Sequence, residues 1–323
     1  LKQFSVHAAR LAVAPLVLSS LVLTGCSGRP VHEANSNQAA ARPPGVTAVP
    51  EITTRVTKSV PIQEYLLTEE QWAKLVEAEL TLRQRCMKSF GIEYEPPSTA
   101  GIVPRQSISQ YRYGILDPAT TEVNGYRSPS AMALAGTAAA ARERRDEKLA
   151  EYSPAQLMVL NGVVDPGTNP GSSAVTGGGK YRGKEVPPGG CVGEARRRLG
   201  DYGDSPVAND VNLDSFDKSL RDRRVQDVFA RWSACMKERG YSYRTPIDAS
   251  NDERWEGEKP SPEEKEAATA DATCKIENNV AGVWYAVDVA YQHREIMEKG
   301  RQLRKVKEEI ESDVETAETV IGD

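Results

Sequence analysis

One stretch of sixteen residues is used twice, and it limits the folds open to this chain more than any other feature. Aligning residues 82–97 with 231–246 without gaps superposes Cys86/Cys235, Met87/Met236, Lys88/Lys237, Gly91/Gly240, Tyr94/Tyr243 and Pro97/Pro246. Each copy closes a helix-patterned run, places Gly where a helix C-cap belongs, and continues into a short extended piece stopped by Pro. Two helical modules of one local design follow, over residues 62–200 and 201–323. The repeat is a scaffold signal and names no chemistry.

Setting Cys26 aside, the cysteines are Cys86, Cys191, Cys235 and Cys274. An even count in an exported chain reads as disulfides, and four cysteines allow three connectivities. The repeat favours Cys86–Cys191 and Cys235–Cys274, one bond in each module, each worth at most about 4–5 kcal/mol on a chain-entropy account. Zinc is the rival reading. No pair has C-x-x-C spacing, and His32 and His293 are the only histidines after residue 26, which disfavours a Cys/His site. Met87 and Met236 read as core filler rather than copper ligands. No cofactor is expected.

The N-terminus carries the compartment signal. Lys2 and Arg10 precede an apolar run from Leu11 to Leu23, and Leu23-Thr24-Gly25-Cys26 fits a bacterial lipobox. The run is too short for a membrane span and suits a signal-peptide core. Residues 1–25 are therefore expected to be a lipoprotein signal, with Cys26 as the lipidation site. Leu1 is what literal translation of an alternative start codon would leave. Residues 26–61 lack periodicity and contain Arg42-Pro43-Pro44-Gly45 and Val49-Pro50, so they read as a lipid-anchored flexible linker. The body would then hang from the outer, extracytoplasmic face of the cell membrane. Losing Lys2 and Arg10 takes the formal net charge from −5 to −7, which argues against nucleic acid and against a general basic membrane patch.

Within the first module, Thr68 and Gln71 form a capping-box pattern. Trp72, Leu75, Val76, Leu80 and Cys86-Met87 then form a stripe at helical spacing, ended by Gly91. The irregular stretch 102–127 contains Tyr111, Arg112, Tyr113, Tyr126 and Arg127. These side chains can stack on a ligand or partner; the commoner role is to close a loop against its own domain. Further helices are expected from Ser128-Pro129, over 154–161 and over 192–199. Gly177-Gly178-Gly179-Lys180 lacks the first Gly and the Ser or Thr of a phosphate-binding loop, and the nucleotide reading is rejected.

In the second module one helix is expected from Asp214 to Arg239. A second starts at Ser261-Pro262 and runs to about Ile321, with Gly282 and Gly300 its only interruptions. Beyond Gly300 the stripe thins to Leu303, Val306, Ile310, Ala317 and Val320, a weak coiled-coil pattern that needs a partner helix from this chain or another. The 301–320 helix is thus a candidate protein-partner surface, and its deletion would be expected to leave the fold intact. For catalysis, His293 stands alone on a charged helix, which leaves a His-dependent triad without parts. Glu79, Glu277 and Asp288 interrupt apolar stripes and are the candidates for a carboxylate-pair hydrolase.

Several stretches resemble a family of exported proteins and lipoproteins of actinobacteria to which no reaction is attached. They are Leu23–Cys26, Arg112-Tyr113-Gly114-Ile115-Leu116-Asp117-Pro118, Gly189-Gly190-Cys191-Val192-Gly193-Glu194-Ala195, Trp232-Ser233-Ala234-Cys235-Met236 with Gly240-Tyr241, and Ala270-Asp271-Ala272-Thr273-Cys274-Lys275. The resemblance implies location and disulfides, not an activity. The expected fold is mostly α: two disulfide-stapled helical modules with a long C-terminal helix and Gly/Pro-rich loops. The expected function is that of a non-enzymatic, lipid-anchored accessory or protein-interaction lipoprotein. The alternatives are a cell-wall hydrolase and a solute-binding component of a transport system. The lack of alternating strands and helices argues against the usual two-lobed form of the last.

Overall fold

The computed structural model describes residues 42–96, 108–162, 179–200, 202–203, 205–257 and 259–322. Hydroxyl caps set five of the helix starts described, those after Thr68, Ser128, Ser153, Thr245 and Ser261. Thr68 Oγ1 accepts from the Gln71 amide at 3.2 Å while Gln71 Oε1 accepts from the Thr68 amide at 2.9 Å, and α1 runs from Glu69–Ser89. Ser128, Ser153 and Ser261 cap α3 (Pro129–Ala150), α4 (Pro154–Asn161) and α9 (Pro262–Glu277), each with Pro in the first turn. Between and after them lie α2 (Pro118–Asn124), strands β1 (Lys180–Tyr181) and β2 (Lys184–Glu185), α5 (Gly190–Leu199), α6 (Pro206–Arg221), α7 (Arg223–Glu238), α8 (Pro246–Ser250), α10 (Val280–Glu298) and α11 (Gly300–Gly322). The strands form a two-stranded antiparallel hairpin; the fold is mostly α.

The duplicated motif is a helix stop. After α1, the Ile92 amide donates to Met87 O at 3.1 Å and the Gly91 amide to Lys88 O at 2.9 Å; after α7, the Tyr241 amide donates to Met236 O at 2.9 Å and the Gly240 amide to Lys237 O at 3.1 Å. These are two Schellman caps. Gly91 and Gly240 take φ of 68° and 90°, which a Cβ would strain. Each Met sits where the cap needs an apolar residue, and both are fully buried. The preceding Cys closes the module, through Cys86–Cys191 and Cys235–Cys274. The two bonds are not equivalent: Cys191 is at the start of α5, whereas Cys274 is near the end of α9.

Two expected helices are broken. Asp222 divides the 214–239 run, ending α6 and capping α7 by accepting from the Arg224 amide at 3.0 Å. Asn279, at φ 48°, separates α9 from α10, and a second break at Lys299 separates α10 from α11. Neither Asp nor Asn is a strong helix breaker, so periodicity carried across both. The long C-terminal helix is therefore the 23-residue α11 alone.

The halves exchange parts. The largest core cluster lies in the second half, around Val228, Phe229, Trp232, Met236 and Trp284, yet Tyr113 and Leu116 of the first half are in it. A second cluster joins Leu75, Ala78 and Leu82 of α1 with Ala195 and Leu199 of α5, and with Ala317 and Val320 of α11. The junction at 200/201 is thus not a boundary between separate bodies: Pro43–Asp323 is one compact unit.

The expected flexible linker 26–61 needs correction over its last part. Val56 and Val60 are buried, and Val46 and Ile52 pack on the main core. Asn279 Nδ2 donates to Pro50 O at 2.9 Å and its Oδ1 accepts from the Ile52 amide at 3.0 Å. Tyr285 OH reaches Ser59 O at 3.1 Å, and Gln292 Oε1 accepts from the Ile62 amide at 3.0 Å. The chain from about Pro44 to Ile62 is therefore a strap laid along α10. A Cβ at Gly282 would lie 2.0 Å from Pro50 O, so only glycine admits the strap there.

Candidate functional site

The residues singled out from sequence as a ligand loop come together, but they face inward. Tyr113 is fully buried and donates its hydroxyl to Asp288 Oδ2 at 2.7 Å. Arg112 Nε donates to the same oxygen at 2.5 Å, while its Nη1 donates to Asn212 Oδ1 at 2.6 Å and its Nη2 to Asn212 O at 2.8 Å. The guanidinium also lies over the Phe216 ring, 4.6 Å from its centroid. Gln292 Nε2 donates to Asp288 Oδ1 at 3.2 Å. Asp288 is fully buried, and its carboxylate is saturated by a phenol, a guanidinium and an amide. Burial, with help from Asp288, pushes the Tyr113 phenol well above its ordinary range.

Tyr126 stacks on Trp255 with centroids 6.2 Å apart, and its amide donates to Glu264 Oε1 at 3.2 Å. Arg127 Nη2 donates to Trp255 O at 3.1 Å and to Gly257 O at 2.8 Å. Tyr111 accepts from Gln110 Nε2 at 3.1 Å. Four of the five candidates thus clasp the first half onto α6, α9, α10 and the 3-10 turn Glu253–Trp255.

Sequence reading passed over the second part of this clasp. Lys275 Nζ donates to Asp271 Oδ2 at 2.6 Å, and Trp232 Nε1 donates to Asp271 Oδ1 at 2.9 Å. All three side chains are buried. Burial pushes the Asp271 carboxyl up, opposed by Lys275 and the Trp232 bond. Gly114 roofs the pair: a Cβ there would lie 2.4 Å from Lys275 Nζ, on a backbone at φ 85°. The available signal was an Asp and a Lys four apart on the small-residue face of α9, beside Ala267, Ala268 and Ala272.

The hydrolase candidates stand on three helices, each held by its own partners. Glu79 of α1 pairs with Arg83 and accepts from the Tyr202 hydroxyl, with Arg196 Nε at 3.8 Å. Glu277 of α9 pairs with Arg239 at 2.8 Å beside Cys235. Asp288 belongs to the clasp. His293 is exposed on α10. Donor atoms of Cys235, Cys274 and Glu277 lie within 4.8 Å of one another, but both sulfurs are used in the disulfide. Cys26, His32, Gly177 and Gly178 lie outside the described residues; Lys180 is in the hairpin, paired with Glu185 at 3.0 Å.

The 301–320 helix is also occupied. Leu303, Val306, Ala317 and Val320 of α11 are buried, against α1 and α5 at one end and Ile62, Leu66 and Val211 at the other. Lys74 to Glu318 at 2.8 Å and Lys307 to Glu64 at 3.2 Å flank the seam. The partner helix the stripe requires comes from this chain, so its apolar face is not an open docking surface. No helix among the described residues is long and apolar enough to cross a membrane. No family model, curated protein or solved structure matches the chain.

Proposed function

We propose that the protein is a lipid-anchored accessory lipoprotein of the extracytoplasmic membrane face, acting as a scaffold or interaction partner rather than as an enzyme. The observation that carries this reading is the pair of disulfides closing a fold with a modest core: such bonds persist in oxidising compartments, and the lipobox at Leu23–Cys26 points to the same place. The resemblance to exported actinobacterial lipoproteins agrees with it.

Glu79, Glu277 and Asp288 each have internal partners, which takes support from the hydrolase reading, and the missing alternation of strands and helices weighs against the solute-binding one. Partner contact would have to use surfaces other than the stripe of α11. The test is peptide mapping, without reduction, of the native protein extracted from membranes after mild cross-linking. The expected result is a diacylated Cys26 at the mature N-terminus, with a recurrent cross-linked neighbour. An unmodified Cys26 peptide from intact protein would remove the anchor, and peptidoglycan cleavage lost on changing Glu79 or Glu277 to Gln would replace the scaffold with an enzyme.

A further inference from the structure

The acidic balance of the chain conceals one basic corner. Where α10 meets α11, residues 297–305 carry Lys299, Arg301, Arg304 and Lys305 against the single carboxylate of Glu298. Lys305 pairs with Glu309 at 3.3 Å. No ion pair joins the side chains of Lys299, Arg301 or Arg304 to another described residue. These residues line an open cleft of about 530 Å³. At its edge stands Met297, 78 % exposed and the most exposed of the large apolar residues described. The cleft thus places one exposed apolar side chain beside three cations without ion-pair partners among the described residues.

The corner lies toward the end of the fold from which the anchor leaves. Arg224 Nη1 donates to Pro44 O at 2.9 Å, Arg224 pairs with Asp222 at 2.7 Å, and the Tyr291 hydroxyl donates to Asp222 Oδ2 at 3.1 Å. Two side chains thus connect the start of the strap to α10 at Tyr291. Met297 is about 9 Å farther along the same helix. Between Cys26 and Pro43 the chain can span at most about 60 Å even when fully extended. A lipid on Cys26 would therefore keep the body within that reach of the membrane, and the choice of face is left to the surface itself.

We infer that the α10–α11 corner, Met297 with Lys299, Arg301 and Arg304, is a docking surface for an anionic lipid bilayer. It would orient the body on the bilayer, a role distinct from the hold that the two acyl chains on Cys26 would already give. The orienting role rests on the lipid-anchor reading; the surface chemistry does not. Free cations meet anionic headgroups, Met297 enters the headgroup layer, and the body is fixed with its corner toward the membrane.

The test uses residues 26–323 carrying Cys26→Ser, so that neither a lipid nor the apolar run 11–23 contributes; the compact unit Pro43–Asp323 lies wholly within it. It is co-sedimented with vesicles of phosphatidylcholine alone and of phosphatidylcholine mixed with phosphatidylglycerol, at low and high salt. The expected result is binding to the anionic vesicles only, weakened by salt, and reduced about fivefold by each of Lys299→Gln, Arg301→Gln and Arg304→Gln. Exposed cations elsewhere, Arg231→Gln with Arg244→Gln, serve as the control and should change little. Equal binding to both vesicle types, or equal loss in the control, would overturn the proposal. The intact mass of native protein reports Cys26 lipidation separately, so loss of the anchor and loss of the surface are distinguishable.

Discussion

Lys275 and Asp271 are a buried pair whose value depends on both members. Removing Lys275 alone leaves a carboxylate in the core. Lys275→Met should cost about 3–5 kcal/mol in urea unfolding, while adding Asp271→Leu should recover part of that loss; equal stability of the single variant and the parent would show that the charges are hydrated. Titrating groups give two further expectations. Arg224, through its side-chain bonds, holds the Asp222 carboxyl below its usual range. Its contribution is therefore complete above the unfolded value of about 4 and is lost as the pH falls through the lower folded value. Asp222→Asn should lower the urea midpoint at neutral pH and flatten its fall in acid. Tyr243 behaves oppositely: burial, then its hydrogen bond to Asp252, pushes the phenol up to about 12. Its stabilisation is complete below the unfolded value of about 10 and is lost as the pH rises through 12. Tyr243→Phe should remove one phenol's worth of the late-titrating phenolate absorbance, the remainder belonging to Tyr113 and the other buried phenols. Little of this was legible beforehand. Arg112 and Tyr113 stood out by composition, but whether they face solvent or Asp288 depends on a helix 175 residues away.

At the level of elements, the caps were readable and the breaks were not. Thr68, Ser128, Ser153 and Ser261 start helices because a hydroxyl meets an orphan amide a few residues on. Asp222 interrupts its helix by capping α7 locally, with Tyr291 bonded to the same carboxylate, and Asn279 by reaching the strap at Pro50. The apolar positions of α11 were visible, but not their partner. Since that partner is α1, deleting residues 301–323 should expose Leu75, Leu82 and Leu199 and abolish cooperative unfolding, contrary to the expectation from sequence. Leu303→Ala alone should cost about 2–5 kcal/mol. A truncated chain that still unfolds cooperatively near the parental midpoint would contradict the α1–α11 seam.

The whole molecule is held by exchange between its halves. Tyr113 and Leu116 serve the second half's core, and Ala317 and Val320 serve the first. Calorimetry of the disulfide-intact protein should therefore show one transition rather than two. Opening either staple should lower it, by up to about 4 kcal/mol for Cys235–Cys274 and about 5 for Cys86–Cys191, whose sequence separations are 39 and 105. Two separable transitions would mean independent modules. From sequence alone came the helical class, the duplicated cap, the pairing of the four cysteines and the starts of α1, α3, α4, α5 and α9, because each depends on contacts between residues close in the chain or on the repeat itself. The tertiary structure alone decided that the Tyr/Arg loop turns inward, that the second half of the expected linker is a docked strap, and that α11 packs on α1. Those contacts are assembled from scattered Val, Ala and Gly residues and single buried charges, which carry no period. Their free energy appears only when distant segments meet.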